Sequence, residues 1–492
     1  MTACAAFAHF PKKCKFYVCT MLDENELITT QYGDSEPIPA DPEYRGSVRD
    51  MLSVALPMVL SLSFDTLMIF VDRIFLSKLG PQYMNAALAG GNANFMMMTL
   101  FFGLIGYSTA MVAQNLGAGR PERGAVVLTH ALGIALVSYP LLLLMRPLAY
   151  LMFNSFTVDP LQSAPQLIFF NTLILGSIIP LFRHSFASYF SGLGKARVVM
   201  VASLVGMTIN VILNYALIFG HWGLPALGIR GAAIGSLCGG FGALCVLVFE
   251  YFRPSIRIPY RTLQGLHFDA KLLKEFIRKG TPSGVEMMLN LVAFQFMILL
   301  FQGKGIVNAT AATIMFNWDM VSFVPLLGLE VAATSLVGRY VGARDFHAAE
   351  RSTRSGIYIG WFFSFFILIA FLCIPELLVN VFRPDPMDGV FLQAFPVAVF
   401  MLRLAAIYVV IEAIMVVFAG ALRGAGDTFW TMCIMVGLHW FLVLLLWLVY
   451  YVWDLGARMA WGSMVTVFMV FPLLLWLRWR SGGWRKFSPA AH

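Results

Sequence analysis

The chain has 492 residues, 59% of them hydrophobic and only 12% charged, and its mean hydropathy is +0.77. So few charges cannot cover a soluble surface, where charged residues make up about a quarter of an average domain. The net charge of +8 falls between apolar runs and in no RNA- or DNA-binding module, which leaves an integral membrane protein with basic loops.

Residues 1–50 lack the apolar core of a signal peptide. KKCK at 12–15, followed by the acidic DENELITTQYGDSEPIPADPEY, reads as a disordered, solvated tail. Beyond it, a membrane helix needs about 20 mostly apolar residues. Twelve stretches qualify: 53–77, 86–113, 124–145, 165–190, 198–220, 231–252, 280–302, 311–338, 355–375, 391–420, 428–453 and 459–477. Their length excludes a β-barrel, whose spans are near ten residues and alternate. The expected fold is therefore an all-α polytopic membrane protein with twelve transmembrane helices.

The connectors set an orientation. With the N-terminus in the cytoplasm, the loops after even-numbered spans and the C-terminus hold twenty Lys and Arg, and the opposite side holds six. This bias places both termini in the cytoplasm, with a bacterial cytoplasmic membrane as the default location. The longest internal connector, 253–279, is basic and partly amphipathic, suited to a membrane surface. Of the seven cysteines, Cys238, Cys245, Cys373 and Cys433 fall in apolar runs, where Cys acts as a small hydrophobe. No zinc spacing and no structural disulfide is expected.

The chain repeats itself. At an offset of 225, Pro57 matches Pro282, Asn92 matches Asn317, Gly103 matches Gly328 and Gly117 matches Gly342. FSGLGKA (190–196) mirrors LRGAGDT (422–428), and LGIRGA (227–232) mirrors LGARMA (455–460). Each half holds six spans, an even number, so both enter the membrane from the same side. The expectation is two parallel-repeat six-helix lobes, 51–252 and 280–478, joined by the 253–279 linker and ending in a tail at 479–492. Transporters with a site between the halves share this plan.

Charges inside the spans need a reason, because each costs about 2.5–3.5 kcal/mol on insertion scales. Asp65 and Asp72 are seven apart and project about 20° from one another, so they share a face of the first span. From the stretch FVDRIFLSKLG alone, a cation or proton site at Asp72 and an interfacial ion pair with Arg73 or Lys78 are both open. Asn210 and Asn214 share a face of the fifth span, and Glu286 and Asn290 one of the seventh. Glu412 sits among IYVVI and AIMVVF in the tenth, with Arg403 on its opposite face. Asp319, Glu330 and Arg183 are also unexpected in lipid, and Glu330 and Arg183 are placed to pair across helices or to line a vestibule. His130, His184 and His439 are single and read as packed rather than metal-binding.

ALPMVLS with FVDRIFLSKLG, AQNLGAGRPE, INVILNYALIFG with GLPALGIRGAAIGS, GTPSGVEMML, PLLGLEVAATSLVGRYVGAR and GALRGAGDT together, in this order, resemble the multidrug and toxic compound extrusion (MATE) transporters over residues 50–478. The resemblance implies an antiporter. A cation, H⁺ or Na⁺, enters as an organic solute leaves, and two lobes rock between outward- and inward-facing states. It implies an essential acid at Asp72, a cation site lined by Asn210 and Asn214, and an acid of the second lobe at Glu412. Where relatives often carry a Glu, this chain has Asn290, and Glu286 lies one turn earlier to take its place. Asn290 corresponds to Asp65 in the repeat, and Asn317, Glu330 and Arg183 complete the polar set. Arg73 departs from the small polar residue of many relatives and bears on simple proton coupling. The expected cargo is amphipathic and cationic, since the acids in the spans outnumber the bases. The protein is expected to act as a monomer in the bilayer, with no nucleic-acid partner and no cofactor beyond the coupling ion. No nucleophile–base motif or P-loop suggests an enzyme or an ATP-driven pump. The alternatives are a flippase for a lipid-linked precursor, which needs a cavity ringed by Arg and Lys, and a membrane enzyme or channel.

Overall fold

The computed structural model describes residues 41–155, 160–383 and 389–487, and these are all-helical. The part of the expected tails at 1–40 and 488–492 lies outside the described residues. Eleven helices are long and apolar enough to cross a membrane, and a bent pair supplies a twelfth span. In chain order they are α1 (Val48–Ser77), α2 (Gln82–Gly117), α3 (Pro121–Leu144), α4 (Ser163–Leu175 and Ile178–Gly192), α5 (Ala196–Phe219), α6 (Ile229–Phe252), α7 (Ala270–Gln302), α8 (Ile306–Gly342), α9 (Phe346–Cys373), α10 (Gly389–Ala425), α11 (Thr428–Val452) and α12 (Gly456–Arg480).

The fourth span, expected as one helix, bends by 51°. The break falls at Gly176 and Ser177, just before Pro180, which has no N–H to donate and is tolerated only in a first turn. Pro57 in α1 and Pro282 in α7 occupy equivalent places in the repeat.

The helices form two lobes, α1–α6 and α7–α12. In the first, α5 packs on α1 and α6; in the second, α11 packs on α7 and α10 packs on α8 and α9. The lobes meet where α2 lies along α7 and α1 along α8. That seam is made of backbone. A Cβ on Gly117 would lie 2.7 Å from the carbonyl carbon of Arg339, and one on Gly342 would lie 2.7 Å from that of Gln114. Arg339 and Gln114 are themselves partners at the 225 offset. A Cβ on Gly103 would lie 2.7 Å from Cα of Gly284, and one on Gly328 would lie 2.8 Å from Cα of Val59, again an offset pair. The repeat thus appears in space as a pseudo-twofold axis running through the seam.

Hydrogen bonds between the lobes fall at the end that carries both chain termini. Tyr340 donates to Asp50 Oδ2 at 2.6 Å and Gln114 Nε2 to Gly424 O at 2.7 Å. Ser335 donates to Ser191 O at 2.6 Å, and Arg339 Nη2 to Leu193 O at 3.1 Å. Residues 41–50, expected within the tail, are folded here. Ser355 donates to Gly46 O at 2.7 Å, and Asp50 is buried. The reason is local: Ser47 accepts from Asp50 N and caps α1 at Val48, five residues ahead of the expected start.

The linker is pinned to the first lobe. Thr129 donates to Gly265 O at 2.9 Å, and Tyr251 donates to Thr262 O at 3.1 Å. His130 Nε2 accepts from Asp269 N at 3.2 Å. α7 begins ten residues earlier than expected because Asp269 caps it, accepting from Lys271 N and Leu272 N. Those two N–H groups, Leu272 first, hold the Asp269 carboxyl below the usual carboxylate range. Its contribution is therefore present above that range and fades as pH falls through the lowered value. The group is largely solvated, so the effect is small.

Replacing Gly342 by Val should cost about 1–3 kcal/mol, seen as a lower melting temperature in detergent. Gly437→Ala on α11, where a Cβ meets nothing within 4 Å, should leave it unchanged or raise it. Asp269→Ala should cost about 1 kcal/mol by the same measurement.

Candidate functional site

In the first lobe, one carboxylate is met by three helices. Asp72 on α1 accepts from Asn214 Nδ2 on α5 through Oδ1, and from Ser236 Oγ on α6 at 2.9 Å through Oδ2. Asn210, one turn from Asn214, donates to Ser236 Oγ at 3.3 Å. Glycines on α6 allow this convergence. A Cβ on Gly239 would lie 2.6 Å from Gly206 O and 2.8 Å from Cβ of Asn210, and one on Gly235 would strike Asn214 Oδ1. With no side chain there, α6 closes on α5 and carries Ser236 into reach.

Both asparagines are fully buried, and their Oδ1 atoms have no hydrogen-bond partner. A buried carbonyl oxygen without a partner costs about 1–3 kcal/mol. Two of them beside a carboxylate and a hydroxyl form an all-oxygen set suited to a hard cation. Arg73 is exposed and makes no ion pair among the described residues; the Asp72 oxygens are taken by Asn214 and Ser236.

Asp65, expected beside Asp72, stands apart from it. Arg183 on the second segment of α4 grips it as a fork, Nη1 to Oδ1 at 3.0 Å and Nη2 to Oδ2 at 2.7 Å. Seven residues share a face but differ by about 10 Å in depth, so the two acids meet different neighbours. The expected Arg183–Glu330 pairing is corrected by the same contacts. Glu330 on α8 pairs instead with Arg423 on α10, which also donates to Glu286 Oε1 on α7 at 2.7 Å. Glu286 is thus tied to a base of the same lobe, and its buried Oε2 has no partner.

Glu412 is buried on α10. One turn before it, Tyr408 donates to Asp319 Oδ1 on α8, and both carboxylates lie within electrostatic reach of that hydroxyl. Glu412 Oε2 has no partner. The second lobe therefore holds an Asp319–Tyr408–Glu412 cluster, Asp319 half-buried and the other two buried, with no base in ion-pair contact among the described residues. Arg403 pairs with Glu376 at 2.6 Å, away from Glu412. Asn290 keeps an unpartnered Oδ1, whereas Asn317 is exposed and donates within its own helix to Thr313 O at 2.8 Å. The histidines are hydrogen-bonded to backbone: His130 Nδ1 and His439 Nδ1 each to the carbonyl four residues back, Val126 O and Met435 O, and His184 Nε2 across helices to Phe102 O.

Sequence reasoning missed Ser236 and Tyr408. Tyr408 had a readable signal, four residues before Glu412. Ser236 had less, because a serine bonding the carbonyl four residues back, as it does to Ala232 O at 3.0 Å, is ordinary in a membrane helix.

The Asp65–Arg183 pair is about a quarter exposed. Asp65→Asn should therefore cost about 2 kcal/mol, below the 3–5 typical of a fully buried pair. The double variant Asp65→Asn/Arg183→Gln should recover part of the lost melting temperature.

Three solved structures match nearly the whole fold. A MATE protein crystallised in a bent conformation superimposes with a TM-score of 0.80 at 21% identity, covering 90% of this chain and 98% of that one. A MOP superfamily transporter from Pyrococcus furiosus Vc1, described as having a binding pocket of reverse polarity, gives 0.80 at 20% identity over 91% and 98%. An outward-facing multidrug resistance MATE transporter of the MOP superfamily gives 0.80 at 20% over 89% and 96%. The MatE family pattern matches residues 57–216 and 282–448, most of both lobes. The chain belongs to the MATE family of multidrug and toxic compound extrusion transporters.

Proposed function

We propose that this membrane efflux transporter is a cation-coupled antiporter, and that the coupling cation binds at Asp72, Asn210, Asn214 and Ser236. The observation that carries this reading is the pair of unpartnered asparagine oxygens beside a carboxylate free of any ion pair. A proton on Asp72 can satisfy one of those oxygens at most, whereas a Na⁺ ion can satisfy both. Na⁺ is therefore favoured over H⁺.

The second lobe supports a cationic, amphipathic organic cargo. Asp319 and Glu412 are held there without a neutralising base, and Asn290 offers an unpartnered oxygen. The arginines within the spans do not form the basic ring that a flippase for a lipid-linked pyrophosphate needs. Arg183 is matched to Asp65, and Arg423 to Glu286 and Glu330.

The basic loops and both termini share the side on which the lobes are joined. With that side in the cytoplasm, the arrangement is closed inward, and transport proceeds by rocking of the two lobes about the glycine seam. One chain is the working unit, in the cytoplasmic membrane.

The test is efflux of a cationic dye from proteoliposomes under an imposed Na⁺ or pH gradient. A Na⁺ gradient should drive efflux. Asp72→Asn and Glu412→Gln should each reduce gradient-driven efflux at least tenfold, about 1.4 kcal/mol in the driving interaction. Transport indifferent to both gradients refutes antiport, and transport driven by pH alone replaces Na⁺ with H⁺. Wild-type behaviour of both variants refutes the site.

A further inference from the structure

On the side of the termini, where α1 of the first lobe meets α9 of the second, the surface is indented by a groove of ≈ 490 Å³. Its wall includes Ser47 at the start of α1 and His347, Arg351, Arg354, Ser355 and Tyr358 along the first turns of α9. Glycines bring the two helices together here as well: a Cβ on Gly46 would lie 2.9 Å from Ser352 N, and one on Gly356 would lie 3.4 Å from Met51 Cε.

The groove's own wall carries basic side chains and no acid. Three nearby acids are engaged elsewhere. Asp50 is buried and accepts from Tyr340 and Gly46 N. Asp345 caps α9 at Ala348 N and pairs with Arg45 at 3.7 Å. Glu350 pairs with Arg485. Arg351 donates one N–H to Pro42 O at 3.5 Å, and neither Arg351 nor Arg354 has a carboxylate within ion-pair distance among the described residues. Asp41 and Glu43 are exposed on the turn that holds Pro42. Two guanidinium groups and an exposed imidazole therefore share one recess with three hydroxyl-bearing residues.

Below the groove the surface turns apolar. On α1, Leu52 and Leu56 are exposed; on α9, Tyr358, Phe362 and Phe365 are exposed. Tyr358 and Trp361, with ring centroids 6.2 Å apart, lie between the groove and this strip and are of the residue types enriched at membrane interfaces. Two arginines in one groove above an exposed apolar strip match one chemistry. Arginine takes a phosphate diester in a bidentate geometry, and aliphatic and aromatic side chains flank acyl chains.

We propose that this groove binds an anionic phospholipid of the termini-side leaflet, with its phosphate held by Arg351 and Arg354 and its acyl chains lying along α1 and α9. The seat bridges the two lobes, so a lipid bound there touches both at once. The inference concerns binding and holds whether or not the ion-coupling reading does.

The test is native mass spectrometry of the full-length protein in detergent, with added phosphatidylglycerol or with phosphatidylcholine of the same acyl chains. One phosphatidylglycerol should be retained, at least tenfold in preference to phosphatidylcholine. Arg354→Gln should weaken retention roughly fivefold and Arg351→Gln/Arg354→Gln roughly twentyfold. Arg354 is exposed and bonded to nothing else among the described residues, so its variant alone decides the matter if Arg351→Gln loosens the turn at Pro42. Equal retention of the two lipids overturns the proposal, as does unchanged retention in both variants. Displacement by millimolar glycerol 3-phosphate also overturns it, by showing that the site reads a free phosphate ester.

Discussion

The architecture depends on backbone meeting backbone across the lobes. Lipid is as apolar as leucine, so apolar side chains alone give membrane helices no reason to associate, and close contact has to come from small residues and polar atoms. Gly117 against Arg339 and Gly342 against Gln114 supply that contact twice, once on each side of the pseudo-twofold axis. Gly103 and Gly328 repeat it further along the same helices. Each pair needs the other's absent side chain, and both halves of this chain carry glycine at these matching places. They also concentrate the joint at one end, with the Tyr340–Asp50 and Ser335–Ser191 hydrogen bonds.

Charges within the spans sort by whether a base answers them. Asp65 is answered by Arg183, and Glu286 and Glu330 by Arg423. These links tie α1 to α4, and α7 and α8 to α10. Among the described residues no base pairs with Asp72, Asp319 or Glu412: Asp72 is met by an amide and a hydroxyl, Asp319 by the Tyr408 hydroxyl, and Glu412 Oε2 has no partner. A carboxylate that already has a guanidinium gains little from another cation, whereas one surrounded by neutral donors and orphaned carbonyl oxygens gains much. The separation of ion-paired acids from those without a base therefore lies in their partners, not in their burial.

How much of this was legible varies by residue. Hydropathy marked the spans, and the 225 offset marked the duplication, because both depend on patterns along one chain. The Asp72–Asn214 convergence was anticipated through family resemblance. Its geometric cause, the missing side chains at Gly235 and Gly239, lies on a third helix that no periodicity connects to the first. The sequence set Arg183 against Glu330 or a vestibule and not against Asp65, because the direction of its side chain depends on the 51° bend of α4. Asp65 and Asp72 looked like one stripe because a helical wheel shows angle and hides depth. The linker read as a basic, partly amphipathic segment suited to a membrane surface, since nothing in its composition announces that Gly265 lodges against Ala125.

The two ends of the joint are fastened crosswise. The turn before α1 is bonded to the second lobe through Ser355 and Tyr340, and the linker before α7 is bonded to the first lobe through Thr129 and His130. Each lobe thus grips the root of the other's leading helix. A rotation of one lobe against the other cannot carry α1 or α7 along as a rigid rod, because root and shaft would be pulled by different bodies. The difference has to be taken up inside those helices. Pro57 and Pro282 stand in the third and fourth turns of those helices, at matching places in the repeat, where a missing N–H removes one rung of the helical ladder. Under the rocking proposed above, these two prolines are where each helix yields most easily.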